Sequence, residues 1–334
     1  MTTPGRRRFI TIAAAAAGMP LLLLPRGRAA DVPRLRVWTG SALGADAMLQ
    51  INHPDPAVAD RLIEHSLAEV ERLEHVFSLY QRDSALSRLN ENGHLDDPPF
   101  DLVRLLGECA RFSTLTGGAF DVTVQPLWAL YAAHFAQPDA NPAGPSRAAI
   151  ETALARVGHT RVLLDARRIA FAASGMALTL NGIAQGYVTD RVVDLLRDAG
   201  IASALVDMGE TRAIGAYPEG QPWSIGLEDP RAPGRVAERI DLIDRAVATS
   251  GGYGTQFDPA GRFNHIFDPS NGTTSWRYAA VSVVAADATT ADALSTAFTL
   301  MPLDRTRLVV DALNLRAHFA FADGARLVQS RSPS

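Results

Sequence analysis

Asp292 and Thr296 stand four residues apart in the stretch Asp287-Ala288-Thr289-Thr290-Ala291-Asp292-Ala293-Leu294-Ser295-Thr296, a spacing that puts both on one face of a helix. A carboxylate and a hydroxyl so placed suit a hard cation that takes oxygen ligands, such as Mg²⁺. The same stretch also reads as a first helical turn rich in capping residues. His265 lies between Phe263 and Phe267 in a short strand-like run, with Asp268 three residues on and Pro269 after it. A His near an Asp is either an oriented base or a neighbour of a turn held by Asp-Pro. The other seven histidines fall in loops or in helix and strand patterns and read as structural.

Two glycine-rich turns lie upstream. Gly117-Gly118-Ala119-Phe120-Asp121-Val122-Thr123 leads into a helix. It is an anion cradle of free N–H groups or a plain loop with an Asp cap. Thr179-Leu180-Asn181-Gly182-Ile183-Ala184-Gln185-Gly186-Tyr187 again joins a strand end, a turn and a helix start. Its glycines would let a backbone carbonyl face a ligand. A further polar turn, Thr249-Ser250-Gly251, precedes His265.

The composition narrows the chemistry these residues can do. All 32 basic residues are arginine and lysine is absent, which removes Schiff-base chemistry and a Walker-type phosphate loop. The single cysteine, Cys109, excludes a disulfide framework and a cysteine-built zinc site. A net charge of −4 gives no reason to expect nucleic acid as a partner.

The chain opens with Gly5-Arg6-Arg7-Arg8-Phe9-Ile10, an apolar run to Leu24, then Arg26, Arg28 and Ala29-Ala30. Clustered arginines, a short apolar run and small residues read as a secretory signal over residues 1–30, of the twin-arginine type. The run is too short for a comfortable membrane span. Cleavage after Ala29 or Ala30 would leave 27 arginines against 36 acids, a formal charge of −9. The signal makes residues 31–334 an expected periplasmic chain without stable membrane insertion, and one so acidic is not expected to cling to anionic lipid.

These residues need elements to position them. Leu35–Asn52 is predicted as a hairpin or two short strands, and Pro56–Phe77 as a helix from apolar residues at helical spacing. Shorter helices are predicted at Ser84–Asn90, Pro99–Leu115 and about Val122–Phe135, followed by a proline-rich loop over Gln137–Ser146. Strands follow at Arg161–Leu164, Arg168–Phe171, Ala204–Val206, Trp223–Leu227, Ala246–Thr249 and Ala279–Ala285, with a last one at Arg316–Phe321. Helices are predicted at Ala184–Ala199, closed by Gly200, and at Thr289–Leu300. The second half shows too few helices to cover its own strands. Without a βαβ repeat the pattern is α+β, one interleaved domain.

The words Phe77-Ser78-Leu79-Tyr80 with Ser84, Ser87 and Leu89-Asn90, then Gly118–Val124, Gly182–Tyr187, Thr249–Gly251, His265–Pro269 with Gly272, and Ala291–Thr296 occur in this order over nearly the whole exported chain. Together they resemble the ApbE family of flavin transferases, which move FMN from FAD onto a hydroxyl of another protein. The resemblance implies an α+β flavin transferase fold, FAD as donor and Mg²⁺ as metal. It implies that Asp292 and Thr296 are metal ligands, with a backbone carbonyl at the Gly182 turn completing the set. Leu43, Tyr80, Ala119, Phe120 and Asp121 would line the flavin or its adenine; Thr179, Gln185 and Ile266 would contact the nucleotide; His265 resembles the catalytic base. The implied partner is an acceptor flavoprotein tethered to the membrane, exposing a threonine or serine.

Three positions depart from the family's usual wording. Thr179 stands where an acid is usual, Gln185 where Lys or Glu is usual, and Glu210 follows Gly209 where a second glycine is usual. The wording around Thr179–Gly186, with the twin-arginine signal, resembles a narrower group, the flavin transferases of nitrous oxide reductase maturation. Two other readings fit the same words: a flavin-binding carrier or assembly chaperone without turnover, and an FAD pyrophosphate hydrolase.

Overall fold

A computed structural model describes residues 35–331; the signal expected over residues 1–30 lies outside the described residues. The chain begins with β1 (Leu35–Ala42) and β2 (Ala45–Asn52), an antiparallel hairpin closed by Leu43-Gly44. Both turn residues have positive φ, 49° and 75°, the mirror-image turn that matches strand twist. Helix α1 (Pro56–Phe77) follows; the Asp55 carboxylate accepts the Ala57 N–H at 2.8 Å, and Leu62, Ile63, Val70, Leu73 and Phe77 form its buried stripe. Next come α2 (Ala85–Asn92), β3 (His94–Asp96), α3 (Phe100–Leu115), a single 3-10 turn (Val122–Val124), α4 (Gln125–Phe135), α5 (Arg147–Leu154), β4 (Val162–Leu164) and β5 (Arg168–Phe171).

The rest of the chain completes the main sheet and covers it. Helix α6 (Ala184–Asp198) is followed by β6 (Ala204–Asp207), β7 (Thr211–Ile214), the ribbon β8 (Trp223–Asp229) and β9 (Ala232–Leu242), then β10 (Ala246–Ser250) and β11 (Ala280–Ala285). Last are α7 (Ala288–Phe298), α8 (Leu303–Leu313), β12 (Arg316–Ala320) and β13 (Arg326–Ser330). Eight strands pair in the order β1-β2-β6-β7-β10-β11-β12-β13, every neighbour antiparallel. The sheet therefore draws strands from both ends of the described chain, and the fold is α+β.

Period-two alternation decides what each face buries. In β10, Ala246 and Ala248 join the large core under α1, α3, α6 and α7, while Val247 joins a smaller core with Trp223, Ile225 and Leu242 of the β8–β9 ribbon. Small residues let α7 lie flat on the sheet: Ala288, Ala291, Ala293 and Ala297 are all buried. A third cluster packs α4 and α5 (Leu127, Tyr131, Ile150, Ala153) against Phe267, with Phe257 and Phe263 beside them.

Several expectations need correction. Helices α5 and α8 and strands β3, β7, β9 and β13 fall where none was expected, so the strand at Arg316 is not the last. With α6, α7 and α8 the second half does have helices, and α6 and α7 cover the sheet. The run Phe263–Phe267 is not a strand. It makes isolated bridges on either side of His265, Gln256 with Asn264 and Phe267 with Thr274, because Phe263 and Phe267 are anchored in the aromatic cluster instead of a sheet. The Tyr131 and Phe267 ring centroids are 5.0 Å apart, and the Tyr131 hydroxyl donates to the Gly272 carbonyl at 3.1 Å.

Candidate active site

A cavity of about 590 Å³ opens where the β1–β2 turn, the α1–α2 connection, the Gly118 turn, the start of α6, the β6–β7 turn, the end of β10, the Thr255–Phe267 loop and α7 converge. Its walls include Leu43, Tyr80, Ala119, Phe120, Asp121, Thr179, Gly182, Gln185, His265, Ile266, Asp292 and Thr296. These residues are scattered over the chain, and the fold gathers them.

The polar floor is built where α6 crosses α7. A Cβ on Gly186 would collide with the Ala288 carbonyl and come within 2.8 Å of the Asp292 Cβ, so only glycine permits the approach. That approach lets the Gly186 N–H donate to the Asp292 carboxylate at 2.9 Å. The α6 N-terminus thus directs a free donor to a carboxylate of its own chain. A Cβ on Gly182 would sit 3.0 Å from the Thr296 hydroxyl, which places that turn's backbone against Thr296. The Ser250 hydroxyl lies 3.1 Å from that of Thr296 and 2.7 Å from that of Ser295. Asp190 fixes α7 from behind: its carboxylate accepts the Ala288 and Thr289 N–H groups, both at 2.8 Å, and pairs with Arg212 at 2.6 Å.

Asp292 is only 3% exposed, and burial raises its carboxyl above the usual range. Glu210, at the β6–β7 turn, is likewise buried, and burial together with Asp292 and Asp207 pushes it well above its ordinary value. Its Oε2 has no hydrogen-bond partner among the described residues. Sequence reasoning noted Glu210 as a departure in wording and gave it no role. Ser250 was quoted without one. Glu74 was missed as well; its carboxylate accepts the Leu43 N–H and holds that residue in its unfavourable positive-φ turn.

Much of the cavity wall is apolar. Tyr80 is 62% exposed, with Leu79, Trp128, Ile266 and Leu300 also on the wall. The Gly118 turn is a capped loop and no anion cradle. The N–H groups of Gly117, Gly118 and Ala119 go to backbone carbonyls, and that of Phe120 to the Thr116 hydroxyl at 3.0 Å. Asp121 is equally occupied, accepting from Thr123 N–H at 2.8 Å, its hydroxyl at 2.6 Å and His159 N–H at 3.0 Å. Phe120 is buried against Phe112. Both residues line the cavity while holding its scaffold.

His265 is not paired with Asp268. That carboxylate accepts from Ser270 and Asn271, closing a local turn. The His265 Nδ1 instead lies 3.2 Å from the Thr255 carbonyl and 3.3 Å from the Thr255 nitrogen, whose N–H can donate to it, and burial lowers the imidazole pKa below its usual value. The Thr179 hydroxyl accepts the Asn181 N–H at 3.3 Å, and the Gln185 amide packs over Gly209, where a Cβ would collide with it.

A profile of the ApbE family matches residues 43–319. This chain belongs to the ApbE family. Among ApbE relatives it is similar to the FAD:protein FMN transferase of Vibrio cholerae serotype O1, 33% identical over 252 residues, covering 73% of this chain and 74% of that one. It is also similar to the FAD:protein FMN transferase of Haemophilus influenzae, 30% identical over 274 residues, covering 78% and 79%. The crystal structure of the ApbE protein from Thermotoga maritima superposes with a TM-score of 0.77 at 31% identity, over 89% of this chain and 97% of that one. The flavin transferase ApbE from Vibrio cholerae gives 0.76 at 27% identity, over 90% and 98%.

Proposed function

We propose that this ApbE chain is an FAD:protein FMN transferase, moving FMN from FAD to a threonine or serine hydroxyl of an acceptor flavoprotein and releasing AMP. The observation that carries the reading is the cavity itself: an apolar mouth with Tyr80 at one side, and a floor of buried oxygen donors at the other. Family membership supports it.

The residues present fit a divalent cation. Asp292 is a buried carboxylate without a paired arginine among the described residues, the Thr296 hydroxyl is beside it on the helix face, and Gly182 leaves backbone against that hydroxyl. These would hold Mg²⁺ through oxygen alone. When bound, the cation supplies charge neutralisation for the FAD pyrophosphate.

The remaining chemistry belongs to the chain. Leu43, Tyr80, Ala119 and Phe120 take the flavin or adenine faces, while Thr179, Gln185 and Ile266 meet the nucleotide. The acceptor oxygen bonds to the FMN phosphorus as the bond from that phosphorus to the AMP-side oxygen breaks. The hydroxyl proton goes to His265. Its Nδ1 meets both the Thr255 carbonyl and the Thr255 N–H, and the base role requires the tautomer in which Nδ1 donates to the carbonyl and Nε2 keeps a lone pair. Burial lowers the imidazole pKa and so favours the neutral, proton-accepting form.

Residues 1–30 would direct twin-arginine export, and the acceptor would be a membrane-tethered flavoprotein of the periplasm. Nitrous oxide reductase maturation is the process this wording points to. No helix among the described residues is long and apolar enough to cross a membrane. The test incubates the protein with FAD, Mg²⁺ and an acceptor domain exposing the threonine, then looks for flavin fluorescence on a denaturing gel. A fluorescent acceptor with the wild type and a dark one with Asp292→Ala supports the reading; a dark acceptor with both refutes it.

A further inference from the structure

Glu210 is held where a carboxylate should not be stable alone. It is 6% exposed, its Oε2 lacks a hydrogen-bond partner among the described residues, and it lines the same cavity as Asp292 and Thr296. A buried carboxylate is costly unless a donor or a cation compensates it. The neighbouring arginine does not: Arg212 is turned to Asp190, at 2.6 Å.

The contrast with Asp207, at the other end of the same turn, is informative. The Asp207 carboxylate accepts the Gly209 N–H at 3.1 Å and the Thr211 hydroxyl at 3.2 Å. It holds the turn. Glu210 receives only the Thr249 N–H from the neighbouring strand, and nothing the turn requires depends on its side chain. The turn is nevertheless built to present it. Gly209 adopts φ +99°, and the space a Cβ would fill there is taken by the Gln185 amide. Strands β7 and β10 are paired, Thr211 opposite Val247, so Glu210 and the Thr296-bonded Ser250 emerge from adjacent strand ends onto one floor.

We propose that Glu210 is a second carboxylate of the cation site, supplying with Asp292 the two negative charges that a divalent ion neutralises. This inference rests on the metal reading above and adds a ligand group to it. Two carboxylates and two hydroxyls form a harder, more strongly charged donor set than Asp292 and Thr296 alone. Without the ion a buried carboxylate lacking a partner costs stability, so the same residue that raises affinity for the metal lowers the stability of the metal-free chain.

The opposed effects on affinity and stability provide the test. Mg²⁺ is titrated calorimetrically into the purified, flavin-free protein, and thermal melts are recorded in chelator and in Mg²⁺. Glu210→Gln should weaken Mg²⁺ binding by about 10–100-fold, melt no lower than wild type in chelator, and lose most of the Mg²⁺-induced rise in Tm. Glu210→Asp should fall between the two. A Glu210→Gln protein that binds Mg²⁺ as tightly as wild type overturns the inference and leaves the metal reading intact. One that melts well below wild type in chelator makes Glu210 a scaffold residue and overturns it too. If wild type binds no Mg²⁺ while Asp292→Asn behaves identically, the metal reading itself fails.

Discussion

In the proposed reaction His265 is the proton acceptor, and its surroundings define what its loss should do. Replacement by Gln keeps the Thr255 contact within reach but removes a base. FMN transfer should fall by about 10²–10⁴-fold, with FAD affinity within a factor of a few of wild type by fluorescence titration. Because burial lowers the imidazole pKa, the neutral form persists below the usual value of about 6.5. Transfer should therefore rise with pH along a limb whose midpoint lies below 6.5 and stay level above it. A midpoint above 6.5 in the wild type, or the same limb in His265→Gln, would assign the titration to another group. Leu43 offers a second residue-scale test. It occupies a positive φ that glycine adopts freely, so Leu43→Gly should leave Tm unchanged or raise it while weakening FAD binding. A fall in Tm would mean that its apolar contact outweighs the backbone strain.

The elements differ in how plainly the sequence announced them. Helix α1 was fully legible, bounds included, because its apolar stripe and Pro56 agree; the Asp55 cap appears only in the structure. The hairpin β1–β2 was legible from its glycines. Strand β7 was not, since Thr211-Arg212 breaks an apolar run. Only the structure shows that Arg212 is buried against Asp190. Strand β13 failed for the opposite reason: Leu327 and Val328 are exposed on an edge, so no buried face imprints a pattern. The glycine words were legible as words, yet their purposes differ, Gly118 closing a capped loop and Gly186 allowing two helices to touch. Gly186→Ala should thus cost about 1–3 kcal/mol through overpacking and lower Tm. Gly107→Ala, in mid-α3 with nothing within 4 Å of the new Cβ, should add about 0.5–1 kcal/mol. Equal effects of the two substitutions would deny the α6–α7 contact its role.

Across the whole molecule, the large sheet joins the first hairpin to the last strands, and the cavity forms where that closure brings distant turns together. This explains why residues spread from Tyr80 to Thr296 could be picked out from short words, while Glu210 could be named only as a departure in wording, without a role. The words record residue types in order, whereas burial and the missing partner of an oxygen exist only after folding. The same scale governs export. If residues 1–30 are a twin-arginine signal, the chain folds before it crosses the membrane, and changing Arg6 and Arg7 to Lys should strand it in the cytoplasm on fractionation. Normal periplasmic levels of that variant would exclude the route. The activity is read most directly by intact-mass spectrometry of an acceptor domain after reaction with FAD and Mg²⁺. One FMN on the threonine or serine, matched by one AMP released, is expected; unmodified acceptor with free FMN, or with FAD unchanged, would contradict transfer and make this ApbE protein a hydrolase or a carrier.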